Sequence, residues 1–235
     1  MRITLDSTIG VIVDVQERLL PVMDRPEATV TEIARLIRGL RVLQVPLIVT
    51  EQYRRGLGPT VNEIEVALSG SGGGEPSAGS GGGGAAGTRS SGSDGSDGGE
   101  PSAGSGGSGD GGAPRSDGTG GTLVRLEKAT FSCCDDTPFM SALTGLTVQR
   151  GASVILAGIE AHVCVLQTTI DLIAHGYRPV VVTDATSSRN PRNMEVAFRR
   201  MEQEGAILTT VESILFELTR TSRSPHFKAI SGIVK

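Results

Sequence analysis

The sequence predicts an α/β fold: a parallel sheet covered by helices on both faces. Three observations predict it. Short runs dense in Val, Ile and Leu recur along the chain, as at 9–15 (IGVIVDV), 152–158 (ASVILAG) and 178–185 (RPVVVTDA). These runs are apolar throughout instead of alternating, the pattern of strands buried on both faces. Stretches with apolar residues at helical spacing separate them, and such alternation builds a parallel sheet with crossover helices.

Taken in order, the run at 9–15 is the first strand. A helix over 29–44 follows, with Val30, Ile33, Ile37, Leu40 and Leu43 on one face. The next strand is 45–50 (VPLIVT), where Pro46 suits the first residues of a strand. A third strand is expected at 122–126 (TLVRL). The helix at 137–146 opens with Thr137 as N-cap and Pro138 at the first helical position. After the strand at 152–158, the segment AGIEAHVCVLQTTIDLIAHG (157–176) is a helix closed by Gly176. A strand at 178–185, a helix at 191–204, a strand at 206–212 and two short C-terminal helices complete the pattern.

The stretch 69–121 breaks it. It holds 23 of the 33 glycines and no Val, Ile, Leu, Met, Phe, Tyr or Trp, and EPSAGSGG occurs in it twice, at Glu75 and Glu100. Without apolar surface to bury, its ordering entropy has no offset, so disorder is expected. The closure entropy of a flexible loop grows only with the logarithm of its length, so the stretch reads as an insertion within one domain. Without it, 182 residues remain, enough for a single domain.

Charge and composition narrow the function. The net charge is −4, and the six acids and two bases of 69–121 account for all of it. No basic patch interleaved with aromatics occurs, so nucleic acid is not an expected partner. No apolar run approaches the roughly 18 residues of a membrane helix, and no separate apolar signal region precedes the first strand. A cytoplasmic, reducing location is therefore expected. There Cys133, Cys134 and Cys164 are thiols, not a disulfide framework. The expected partners are a small-molecule substrate and, in a homo-oligomer, further copies of the chain, with no membrane contact.

Parallel sheets carry their sites at the C-terminal ends of the strands. Three chemically useful residues fall there: Asp14, Lys128 and Cys164. Alone, each has an ordinary reading, as a turn residue, a solvated lysine and a buried small hydrophobe. Together they form a nucleophile, a proton acceptor and a cation. A thiol in the first turn of a helix feels the positive end of the helix dipole, and a nearby ammonium adds to it, so a lowered thiol pKa is expected. A carboxylate beside the thiol can take its proton and return it to a leaving group. His162 lies two residues before Cys164, about 200° round the helix, and points away. His175 sits at a helix end and His226 near the C-terminus.

The segments VIVDVQERLL around Asp14, LEKATFSC around Lys128 and GIEAHVCVLQTTIDLIAHGYRPVVVTDATSSR around Cys164 resemble the isochorismatase-like hydrolases, or cysteine hydrolase family. The segments VTEQYRRGLGPT and SPHFKAISGIVK resemble its eukaryotic isochorismatase domain-containing members. The resemblance implies a three-layer α/β/α sandwich around six parallel strands and an Asp14–Lys128–Cys164 catalytic triad. It implies a cis peptide at Ile159–Glu160 and an oxyanion hole made by the backbone N–H groups of Glu160 and Cys164. The metal site of family nicotinamidases needs two histidines near the triad, and no histidine precedes His162, so neither metal nor cofactor is expected. Members that cleave a vinyl ether generally lack the cysteine. Cys164 therefore points to hydrolysis of an amide or related C–N bond. Pocket residues are expected from Gln16, Glu51, Gln52, Tyr53 and Phe131. A different class of function is a catalytically silent or regulatory protein that keeps the fold and uses the acidic insertion to tether a partner. A redox role for Cys133 or Cys134 near Cys164 is also left open by the sequence.

Overall fold

The computed structural model describes residues 2–70, 121–146 and 151–235. Apart from its ends, the insertion expected to be disordered lies outside the described residues. Six strands form one sheet in the order β3-β2-β1-β4-β5-β6. They are β1 (Thr8–Val13), β2 (Leu47–Gln52), β3 (Leu123–Lys128), β4 (Ser153–Ile159), β5 (Arg178–Ser187) and β6 (Ile207–Thr209), and every pairing is parallel.

Helices cover both faces. On one lie α1 (Pro26–Val42), α3 (Asn62–Ser69), α7 (Val211–Thr219) and α8 (Phe227–Val234). Their apolar stripes meet Ile12, Val49, Ile155, Ala157, Val180 and Val182. On the other lie α4 (Thr137–Leu146), α5 (Leu166–Ala174) and α6 (Pro191–Glu204), against Ile9, Val11, Val13, Val154, Leu156 and Val181. Successive residues of β1, β4 and β5 thus alternate between two cores, which is why these strands read as unbroken apolar runs. Phe139 of α4 is fully buried, and truncating such a side chain to alanine costs about 3–5 kcal/mol.

Several local expectations change. The α4 N-terminus is capped by Asp136, whose Oδ1 accepts from the Phe139 N–H at 3.0 Å, and Thr137 begins the helix. The last strand is shorter than predicted, because Thr210 caps the Ser213 N–H and starts α7 where apolar residues continued the strand pattern. Helix α3 and the single turn α2 (Arg54–Leu57) fall in a stretch the apolar pattern left unassigned. Gly176 does close α5, at φ 82°.

The chain leaves β1 for β2 and β3 on one side and returns to β4 on the other. The crevice at this reversal lies between the C-terminal ends of β1 and β4, the usual ligand position in open α/β sheets. Gly158 fits the two strands together: a Cβ there would stand 2.2 Å from the Val13 carbonyl oxygen.

Candidate active site

At this end of the sheet three strands stop in the same unusual way. The residues following β1, β2 and β4 are Asp14, Tyr53 and Glu160, and all have positive φ, at 55°, 41° and 58°. Non-glycine residues in this region cost on the order of 1–2 kcal/mol each, and such strain gathers at functional sites.

Asp14 is 1 % exposed and its carboxylate is fully engaged. Oδ2 accepts from Lys128 Nζ at 2.6 Å, and Oδ1 accepts from Thr50 Oγ1 at 2.7 Å. Thr50 is positioned by register, since it pairs with Val13 in the adjacent strand. Lys128, the last residue of β3, reaches beneath the end of β2. Its ammonium also donates to Gln52 Oε1 at 2.7 Å and to the Thr130 carbonyl at 3.1 Å. With the Phe131 carbonyl at 3.4 Å, four acceptors surround the three donors of the ammonium, so Lys128 is saturated by protein groups. Burial acts to lower its pKa, but the negative charge of Asp14 and the neighbouring Cys133 and Cys164 outweigh it, and the net shift is upward. It therefore stays charged.

Cys164 is 6 % exposed, and its thiol lies close enough to Asp14 to feel that carboxylate's charge. It stands in a single π-type turn, Ala161–Val165, between Glu160 and α5, closed by the Leu166 N–H donating to the Ala161 carbonyl. Isolated π turns are frequent at functional sites. The lowered thiol pKa expected from the sequence is reversed. Burial raises it first, and the adjacent Asp14 charge raises it further, against a smaller opposing effect of Lys128. The physical reason is that Lys128 already spends its charge on Asp14, so the thiol faces a neutral pair from inside a protein interior.

The other expected site residues separate into two groups. Gln16 does not line a pocket. It is 0 % exposed, its Nε2 donates to the Gly58 and Gln52 carbonyls and its Oε1 accepts from the Gln52 N–H. Glu51 is likewise turned inward, accepting from the Thr60 N–H at 2.7 Å and Thr60 Oγ1 at 2.9 Å. Both pin the 53–60 segment to the sheet. Gln52 sits between the groups as the acceptor for Lys128. Tyr53 and Phe131 are the exposed pair, 58 % and 55 %, on the segments that carry the Lys128 contacts. The cis peptide expected at Ile159–Glu160 is absent: no described peptide bond is cis, and the left-handed Glu160 makes the turn instead. His162 points away from Asp14, with Nδ1 3.0 Å from Ser188 Oγ.

The sequence offered Thr50 only as part of the pocket stretch TEQY and Cys133 only for a redox role, not as neighbours that buttress Asp14 and Cys164. Cys133 is 0 % exposed, its N–H donates to Thr168 Oγ1 at 3.0 Å, and the Thr168 and Thr50 side chains lie beside its thiol. Thr168 lies four residues beyond Cys164, on the same side of the helix. No sequence signal marks Thr50 as the partner of Asp14, because that role comes from strand register. Among the described residues no group of three or more His, Cys, Asp and Glu side chains is placed to hold a metal ion, and no helix is long and apolar enough to cross a membrane.

A sequence profile of the Isochorismatase domain matches residues 8–213. The chain belongs to the isochorismatase family. It is 31 % identical over 234 residues to isochorismatase domain-containing protein 2A of Mus musculus, covering 100 % of this chain and 85 % of that one. Isochorismatase domain-containing protein 1 of Salmo salar is 30 % identical over 231 residues, and the family member described here, with 97 % of its length matched, spans 61 % of that relative. Among solved structures, one of a protein called MAR1 ribonuclease from Caenorhabditis elegans superposes with a TM-score of 0.72 at 32 % identity, covering 100 % of this chain and 92 % of that one. The six-stranded, three-layer architecture is thus that of the isochorismatase fold.

Proposed function

We propose that this isochorismatase-family protein is a cysteine hydrolase acting on a small amide or related C–N bond, with Asp14, Lys128 and Cys164 as a catalytic triad. The observation that supports it most is the buried Lys128–Asp14 pair at 2.6 Å with the Cys164 thiol within the influence of the same carboxylate. A buried ion pair costs several kcal/mol of desolvation per ion and is weak evidence of a stabilising device, so its placement against a thiol calls for a chemical role.

The raised thiol pKa sets the order of events. The resting thiol keeps its proton, and Asp14 takes it as Sγ attacks the carbonyl carbon. The charge that develops on the carbonyl oxygen is received by the N–H groups of Glu160 and Cys164. Among the described residues no hydrogen bond takes up the Glu160 N–H. Asp14 returns the proton to the departing nitrogen, the C–N bond breaks, and a thioester remains on Cys164. Asp14 then takes a proton from water as it attacks the thioester, and the acid leaves with the thiol restored. Lys128 holds the charge of Asp14 throughout and is spent on protein acceptors, so it does not bind substrate. Tyr53 and Phe131 flank the entrance and contact the substrate side chain.

The test is a screen of small amides and ureides with intact-mass detection. A thioester mass increment on the wild type that is lost in Cys164→Ala supports the reading. Turnover retained in Cys164→Ala sinks it. A second reading follows from the C. elegans relative, which is called a ribonuclease: cleavage of RNA. The same pair of proteins incubated with single-stranded RNA separates the two. A protein inactive in both assays, with an unreactive Cys164, would be the silent or regulatory member.

A further inference from the structure

We infer that Arg189 is a positioning residue for the oxyanion hole, acting through the side chain of Glu160; this rests on the cysteine-hydrolase reading above. Glu160 has to hold its N–H toward the crevice while sitting in the left-handed region, at φ 58° and ψ 59°. A glutamate there is strained on its own and returns to extended or helical backbone unless something over-determines it. Two restraints are visible. The backbone before it is fixed by Gly158, packed against the Val13 carbonyl so closely that no Cβ fits. The side chain behind it is 91 % buried and fixed by a charge pair.

That charge pair comes from outside the turn. Arg189, just beyond β5, places its Nε on Glu160 Oε1. The other oxygen, Oε2, is buried without a hydrogen-bond partner and lies 3.4 Å from His162 Nδ1, which is itself held by Ser188 Oγ at 3.0 Å. Among the described residues, Arg189 is the closest polar partner of the Glu160 carboxylate, and His162 stands farther off. A carboxylate this buried has no stable place without a cation. Without Arg189 it turns toward water, and the backbone follows because the left-handed turn and the buried side chain are one constraint. Arg189 itself is 60 % exposed and makes no contribution to either core. The consequence is specific. Loss of Arg189 displaces the Glu160 N–H and leaves the thiol, Asp14 and Lys128 in place.

Two reagents that react with the same sulfur distinguish this from general damage. p-Nitrophenyl acetate acylates a thiol through a tetrahedral oxyanion: the S–C bond forms, the thiol proton passes to Asp14, nitrophenolate leaves and a thioester remains. Iodoacetamide alkylates the same thiol by displacing iodide, and no charge develops on a carbonyl oxygen. Peptide mass analysis reports modification at Cys164 in both cases. In Arg189→Ala, acetylation of Cys164 is expected to slow about tenfold or more, below the 10²–10³ of deleting an oxyanion donor outright. Alkylation stays within about twofold of the wild type, because the thiol and its base are untouched. Arg189→Lys, which keeps a cation near the carboxylate, recovers most of the acetylation rate. An acetylation rate equal to wild type in Arg189→Ala overturns the proposal. So does an equal fall for both reagents, which would place the effect on the thiol or the fold. If neither reagent modifies Cys164 in the wild-type protein, the nucleophile reading itself fails, and the role of Arg189 with it.

Discussion

Cys133 and Cys164 occupy two turns that touch. One follows β3 and the other follows β4, and both thiols lie in the same apolar cluster beside Lys128 and Asp14. Both have raised pKa values, and burial is the first cause of each. Ionisation therefore does not distinguish them. What does is the setting: Cys133 lies beside Thr50 and Thr168 and is 0 % exposed, while Cys164 lies beside the carboxylate of Asp14 and is 6 % exposed, near the Glu160 N–H, which no hydrogen bond takes up among the described residues. In the mechanism proposed above, the nucleophile is made by a base and a path to the crevice, not by a resting thiolate.

The largest expected effect breaks or keeps that distinction directly. Cys164→Ala should lower acyl transfer by on the order of 10³-fold or more, since the nucleophile is removed. Cys133→Ala should stay within about tenfold, a loss of packing beside Thr50 and not of chemistry. Burst acetylation by p-nitrophenyl acetate measures both, and comparable losses would erase the contrast.

Next comes the cation the two turns share. Lys128→Met leaves Asp14 buried without its charge partner and should cost about 3–5 kcal/mol of stability by urea unfolding. Adding Asp14→Asn to that variant should recover part of the loss, because the unpaired charge goes too. A loss below about 1 kcal/mol would mean that Asp14 finds water or another cation, against its 1 % exposure.

An alkaline titration sharpens the comparison at smaller scale. Burial pushes the Cys133 thiol from its ordinary value near 9 up to about 11. The folded state thus holds this proton more tightly than the unfolded chain. The associated stability is present below pH 9 and is lost as the pH rises through about 11, on the order of 2 kcal/mol. Unfolding free energy should fall across that window, and less steeply in Cys133→Ala. Identical slopes would place the thiol in a wetter setting than its full burial implies.

The smallest effect belongs to the crevice mouth. Tyr53→Ala and Phe131→Ala remove side chains more than half exposed and should change stability by no more than about 0.5 kcal/mol. Any change in substrate KM is then separable from folding. Thermal unfolding checks the first and steady-state kinetics the second.

Much of the fold was legible because both faces of its strands are buried. Val11, Val154 and Val181 face one core while Ile12, Ile155 and Val182 face the other, so composition alone marks the strands. Elements governed by capping and turn chemistry were less legible: α2 and α3 lack a long apolar stripe, and Asp136 took the cap assigned to Thr137. In the site, the position of Asp14, Lys128 and Cys164 at strand ends was readable from order along the chain. Their surroundings were not. Gln16 and Glu51 look like crevice residues by position, yet both face inward to hold the 53–60 segment, because the turn at Tyr53 brings Gly58 and Thr60 back over the end of the sheet.

The sequence by itself determined the alternation of strands and helices and which three reactive groups end up at one edge of the sheet, because burial pattern and chain order are local properties. Only the tertiary structure decided what those groups are worth. The register of β2 against β1 puts Thr50 on Asp14, and the reach of Lys128 across β2 commits its charge before the thiol can use it. Burial then raises the thiol pKa where the helix start and the lysine had suggested the opposite. Solvation and the sharing of one charge among several partners depend on what lies within a few ångströms, and residues separated by 114 and 36 positions in the chain supply it.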